Sequence, residues 1–202
     1  MKLYYSPGAC SLSPHIVLRE SGLKFDLEKV NLKTKKTETG KDYFTVSPNG
    51  YVPALEIAPG DVLAEGPAIV QYIADQAPAA NLAPANGTRE RYTLQSWLNF
   101  VGTELHKNFS PIFNPATSDE AKAQGRKLLE VRYASVEKHL AGKDYLLGAN
   151  YSVADVYLFV TLTWTKYAGI DLSQWPALSR LHDSIAARPA VQAALKAEGL
   201  LK

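Results

Sequence analysis

Apolar and polar positions change rhythm every dozen residues as far as Gln76, which predicts short strands interleaved with helices. Lys2–Tyr5 reads as a strand, followed by the turn Ser6-Pro7-Gly8-Ala9-Cys10 and a helix from about Ser13 to Ser21. Gly22 ends that helix, since glycine takes the left-handed C-terminal conformation without a steric cost. Lys24–Val30 is a second predicted strand, and Asn31–Asp42 is too rich in Lys and Thr to be core. Val52–Ile57 and Asp61–Ala64 are expected to form strands around a Pro59-Gly60 hairpin. Pro67–Gln76 carries Ile69, Val70 and Ile73 at helical spacing. The expected order is βαβ, a loop or short helix, then ββα.

Beyond this point the strand signal stops. Residues 81–87, within the Pro84- and Gly87-bearing stretch Asn81–Thr88, read as a linker, and long amphipathic helices follow. Leu94, Leu98, Val101, Leu105 and Phe109 keep to one helical stripe. Another apolar helix is expected from Ser152, where Ser152-Val153-Ala154-Asp155 is a capping-box-like start. Trp175-Pro176 marks a break, and Ala177–Arg188 and Val191–Lys196 close the chain as helices. The pattern predicts a mixed α/β domain over residues 1–80 and an all-helical domain over 88–202.

Composition narrows the function. With 46% hydrophobic and 21% charged residues, the chain is an ordinary globular protein. A net charge of +2, with Lys and Arg scattered among acids, lacks the basic stripe of a nucleic-acid binder. No apolar run approaches the ~20 residues that span a bilayer, and the start has no signal-peptide core, so the expected location is cytoplasmic without membrane association. One cysteine excludes an internal disulfide and a thiolate metal cage.

Three clusters could carry chemistry. Cys10 lies in the turn that feeds the first helix, whose exposed N–H groups favour a low-pKa thiolate. Cys10-Ser11-Leu12-Ser13 also has the spacing of a one-thiol redox site with Ser13 in place of a resolving cysteine; the other reading is a small buried hydrophobe. In Asn49-Gly50-Tyr51-Val52-Pro53-Ala54-Leu55, a proline at a strand entry cannot donate to the ladder, and if its peptide bond is cis it leaves an unpaired edge at Val52 that an extended peptide can join; the other reading is a turn device. In Glu65-Gly66-Pro67-Ala68-Ile69, Glu65 precedes a helix start and can either grip a ligand ammonium or merely cap the helix.

Together these motifs and the Ser152-Val153-Ala154-Asp155 helix start resemble the cytosolic glutathione S-transferases over essentially the whole chain. Cys10 with Glu104-Leu105-His106-Lys107 resembles the bacterial beta class. The resemblance implies a thioredoxin-like N-terminal domain, an all-α C-terminal domain, a homodimer, and glutathione as cosubstrate with no other cofactor. It implies that Val52 pairs with the cysteinyl backbone of glutathione, Pro53 is cis, and Glu65 with Gly66 holds the γ-glutamyl end. Gly66 departs from the commoner serine or threonine, leaving main chain alone for the carboxylate. Lys35 and Tyr51 are placed near the glycyl end and Cys10.

In a regular α-helix Asn99 and His106 are nearly superposed, roughly 80° to 120° from the Leu98-Leu105 stripe. Asn99, His106 and Lys107 are therefore expected to face the active-site cleft. His15, His139 and His182 are expected to be structural, and no histidine pair has metal-ligand spacing. The implied reaction is attack of glutathione thiolate on a hydrophobic electrophile, with Cys10, His106, Ser11 or Tyr5 as donor to the sulfur. Ala9, Phe109, Phe113 and Trp164 are expected to line the electrophile pocket. A glutathione-dependent thiol reductase acting through Cys10 is the expected companion activity. The alternative is a non-catalytic binding or regulatory protein on the same fold.

Overall fold

The strand Lys2–Tyr5 (β1) buries Leu3, Tyr4 and Tyr5, as a strand covered on both sides must. In the computed structural model, which describes residues 1–201, β1 pairs in parallel with Asp26–Asn31 (β2) and antiparallel with Ala54–Ala58 (β4). Lys36–Thr37 (β3) joins the far side of β2, and Asp61–Ala64 (β5) pairs with β4, giving the order β3-β2-β1-β4-β5. β4 begins at Ala54 rather than Val52, because Pro53 has no N–H to give the ladder. Helix α1 (Leu12–Ser21) ends on Gly22 at φ 70°, and α2 (Gly66–Gln76) buries Ile69, Val70, Ile73 and Ala74.

Contacts divide the chain into two compact units, Met1–Ala83 with Ala187–Lys202, and Pro84–Ala186. The final helix α9 (Pro189–Ala197) thus joins the first unit, where Val191 and Ala194 are fully buried and α9 packs on α1. Sequence pattern had grouped it with the other helices, since periodicity says nothing about which partner a helix covers.

The second unit is helical: α3 (Arg89–Phe100), α4 (Lys107–Phe113), α5 (Asp119–His139), α6 (Val153–Thr163), α7 (Thr165–Ala168) and α8 (Pro176–Ala186). Val153–Leu162 is buried throughout, the signature of a central helix apolar on every side. Its start is fixed by Asp155, whose carboxylate accepts from the Ser152 N–H at 2.9 Å, the Ser152 hydroxyl at 2.7 Å and the Leu146 N–H at 2.7 Å. Between α3 and α4 lies a π-helical stretch, Val101–His106, which sequence pattern reads as plain α-helix. Its Lys107 N–H reaches back to the Gly102 carbonyl. The successive four-residue steps Val101, Leu105, Phe109 keep the apolar stripe buried across the wider turn.

Candidate functional site

In the first unit the turn before α1 closes on itself. The Ser11 hydroxyl accepts from the Ser6 N–H at 3.1 Å and donates to the Ser6 carbonyl at 3.2 Å, while the Ala9 N–H donates to the same carbonyl at 3.0 Å. Ser11 is fully buried, so this hydroxyl builds the turn and its proton is already committed. Tyr5, another expected donor, packs its ring against His15 at 6.0 Å.

The turn presents Cys10, whose thiol donates to the Val52 carbonyl at 3.3 Å. Burial pushes this thiol up to about 11, against the lowering effect of the Cys10 and Ser11 backbone N–H groups, and the Glu65 carboxylate pushes it further up. The expectation of a low-pKa thiolate is thereby corrected. The helix-start N–H groups do act on the sulfur, but desolvation outweighs them, so Cys10 is a neutral S–H donor at neutral pH.

Val52 heads a cis Val52–Pro53 peptide bond. Its side chain joins Tyr4, Val30, Tyr43, Val46 and Ala54 in a buried cluster, with Ala9 packed against it. Its N–H engages no hydrogen bond among the described residues. The loop leading to it is held from several sides: the Tyr43 hydroxyl and Ser47 hydroxyl donate to the Tyr51 carbonyl at 2.8 and 3.1 Å, and Lys35 Nζ donates to the Gly50 carbonyl at 2.8 Å. Gly50 has φ 63°, and a Cβ there would lie 2.9 Å from Phe44 Cε1, so a side chain would strain the backbone and push the Phe44 ring aside. Lys35 Nζ also lies 5.8 Å from the centre of the exposed Tyr51 ring.

Glu65 has φ 67° and ψ 116°, a conformation that costs a non-glycine residue on the order of 1–3 kcal/mol. It stands at the N-terminus of α2, yet its side chain makes no capping bond. Of the two readings left open by sequence, capping is not the one adopted. Gly66 follows, and a Cβ on it would meet Pro53 Cγ at 3.9 Å. The fold therefore gathers the three motifs: Cys10 on Val52, Gly66 against Pro53, and the Glu65 charge felt at Cys10.

In the second unit the His106 imidazole Nδ1 lies 2.6 Å from the Tyr157 hydroxyl, with the Trp164 ring 5.0 Å away. Burial, then the neighbouring Lys107 charge, holds the His106 pKa below its ordinary value. Phe109 stacks on Phe113 at 5.5 Å and meets Trp164 edge-on at 5.3 Å. Three residues expected to line one pocket thus form one aromatic cluster, in which Phe109 is buried and Phe113 exposed. Asn99 and Lys107 are exposed. Asn99 is not superposed on His106 as an uninterrupted α-helix would have it, because the π-helical turn between them rotates the chain. Tyr157 escaped sequence reading because an aromatic in a wholly apolar helix looks like core. Among the described residues no group of three or more His, Cys, Asp or Glu could hold a metal ion, and no helix is long and apolar enough to cross a membrane.

The comparisons with known proteins bear on both units. Residues 8–76 match the family model "Glutathione S-transferase, N-terminal domain", and residues 100–189 match "Glutathione S-transferase, C-terminal domain". Over 201 residues the chain is 45% identical to glutathione S-transferase GstA of Escherichia coli O157:H7, covering 99% of this chain and 100% of that one. It is similar to the structure of a sphingomonad glutathione S-transferase complexed with glutathione, with TM-score 0.96 and 55% identity over 100% of both chains. It is likewise similar to the bacterial beta-class enzyme of Sphingomonas chungbukensis, with TM-score 0.96 and 53% identity over 100% of both chains.

Proposed function

The chain belongs to the glutathione S-transferase family, and from that premise we propose that it transfers glutathione with the Cys10 thiol as hydrogen-bond donor to the glutathione sulfur. Residues 8–76 belong to the thioredoxin-like domain and residues 100–189 to the helical domain of that family. The observation that carries the proposal is the 3.3 Å contact of the Cys10 thiol with the Val52 carbonyl, beside a Val52 N–H that engages no hydrogen bond among the described residues. A peptide lying along Val52 pairs with this N–H and carbonyl as an added strand would. For glutathione, that register delivers the cysteinyl sulfur to Cys10. Once the cysteinyl N–H takes the Val52 carbonyl, the Cys10 S–H is released to the incoming sulfur.

A donor on that sulfur favours its thiolate, since a free thiol titrates near ~8.5. The thiolate then attacks the electrophilic carbon. A carbon–sulfur bond forms, the leaving group departs with the bonding pair, and the glutathione proton goes to solvent. Glu65 would take the γ-glutamyl ammonium and the Gly66 N–H its carboxylate, a role supported by the uncapped side chain of Glu65 and its costly backbone. Lys35 and Tyr51 would serve the glycyl end, supported by their position on the Val52 loop. On the family likeness, His106 is a second donor to the sulfur, Asn99 and Lys107 are further glutathione contacts, and Ala9, Phe109, Phe113 and Trp164 receive a hydrophobic electrophile. Glutathione binding measured by calorimetry in the wild type and in Cys10→Ala, together with conjugation to an aryl halide, tests this reading.

Thiol reduction is the second activity we propose, supported by the position of the chain's one cysteine beside Val52. The Cys10 thiolate attacks a glutathione mixed disulfide, forming a Cys10–glutathione disulfide and releasing the other thiol. A second glutathione thiolate then takes the bound glutathione as oxidised glutathione and returns Cys10. The same likeness supports a cytoplasmic homodimer, in which the exposed Leu128 and Val131, one turn apart on α5, offer apolar surface to a partner.

A further inference from the structure

Gly8, His15 and Arg19 join the sequence-remote Glu198 in a polar chain of the first unit that the transfer reaction does not use directly. Arg19 Nε donates to His15 Nε2 at 3.0 Å, His15 Nδ1 lies 2.8 Å from Glu198 Oε1, and the Gly8 N–H donates to Glu198 Oε2 at 2.9 Å. The polarity of this chain is fixed. An Arg19 N–H needs a lone pair on His15 Nε2, so the imidazole proton sits on Nδ1 and points at Glu198. Glu198 must therefore accept at both oxygens. The side chains of His15 and Glu198 are fully buried, where a donor left without its acceptor is costly.

The far end of this chain is the turn that carries Cys10. Gly8 lies two residues before it at φ 71°, and the Leu200 side chain covers Gly8, 3.5 Å from where a Cβ would stand. Within the turn, Ser11 closes the loop onto Ser6, and a tie from Gly8 reaches outside it to Glu198. We infer that Glu198 is a positioning residue of the glutathione site: through the Gly8 N–H it locks the Ser6–Cys10 turn so that the thiol sits on Val52. Glu198 thereby belongs to the sulfur site. The inference rests on the glutathione reading for its functional meaning, but the lock itself can be tested without glutathione.

Glu198→Gln is the informative change. It keeps the size, but one oxygen becomes an NH2 that faces either the His15 N–H or the Gly8 N–H, and a donor then opposes a donor. The test is the rate of Cys10 alkylation by iodoacetamide, read by intact mass on folded protein well below its unfolding midpoint. The lock predicts a rise of roughly tenfold, the size of one charged hydrogen bond lost, and a rate insensitive to low urea, as a local loosening requires. A purely structural pair would lower the unfolding midpoint and leave the folded protein's alkylation at the wild-type rate, which would overturn the inference. If Glu198→Gln does not fold, Glu198→Asp carries the test, since its shorter carboxylate keeps the charge but draws back from the Gly8 N–H. It should raise the rate in the same direction, and an unchanged rate would overturn the lock. Glutathione calorimetry on the wild type runs alongside. Absence of binding there refutes the glutathione reading, whereas the alkylation rates still decide the lock.

Discussion

The Cys10 thiol donates to the Val52 carbonyl at 3.3 Å, so the chain's one thiol is parked on the main-chain group that an added peptide strand would claim. Burial keeps it protonated there. Absorbance of the free protein near 240 nm should show thiolate appearing with a midpoint of about 11, up from an ordinary 9.0. Between those values the unfolded chain has lost a proton that the folded one keeps, so stability should fall as pH rises through that window. A midpoint below 9 would contradict this account of Cys10.

The same property sets the pH dependence of thiol reduction. Only the thiolate attacks a disulfide, so turnover of a glutathione mixed disulfide should climb steadily from pH 7 to 9, and Cys10→Ala should abolish it. Intact mass should show one glutathione added on exposure to oxidised glutathione, removable by reductant. A reductase rate that is flat with pH, or that survives in Cys10→Ala, would refute the role.

Glu65→Gln should weaken glutathione binding by about 1.5–3 kcal/mol, the worth of a charge-assisted bond, with the unfolding midpoint unchanged. Glu65→Gly should weaken binding as well but raise stability, because glycine adopts the φ of 67° without strain. Calorimetry and thermal unfolding separate the two effects. Unaltered glutathione affinity in both variants would remove Glu65 from the site.

His106 should remain neutral across physiological pH. Burial first, and then Lys107, lower its pKa. In the folded state the ring resists the proton that the unfolded chain accepts, so its contribution to stability is present above 6.5 and is lost in acid. Proton NMR of the ring should give a midpoint below 6.5, and Tyr157→Phe, which deletes its 2.6 Å partner, should move that midpoint. Titration above 6.5 would contradict this.

Much of the site was legible before the fold was known, because its chemistry sits in short motifs. Val52-Pro53 and Glu65-Gly66 announce themselves through backbone constraints that few residues satisfy, and Ser152-Val153-Ala154-Asp155 through capping geometry. What stayed hidden depends on distance or environment. Glu198 meets His15 across 183 positions, and no periodicity links them. The turn around Cys10 suggested a thiolate, since helix-start N–H groups can be read from sequence while desolvation cannot. The π-helical turn at Val101–His106 left only successive four-residue steps as its trace, and these also fit an α-helix.

Asp155→Ala should destabilise the protein by on the order of 2–3 kcal/mol, because Leu146 N–H, Ser152 N–H and the Ser152 hydroxyl would lose a buried acceptor together. Denaturant unfolding measures the loss. Folded Asp155→Ala should bind glutathione as the wild type does, and a stability change below 0.5 kcal/mol would contradict the capping account.

The central claim, that the Cys10 S–H stabilises bound glutathione thiolate, is tested most directly by the pKa of glutathione in the complex, read by thiolate absorbance. The wild-type complex should titrate well below the ~8.5 of a free thiol. Cys10→Ala should move that value part of the way back, and Cys10→Ser, which keeps an O–H donor, should recover most of the shift. A bound-glutathione pKa that is identical in wild type and Cys10→Ala would contradict the account.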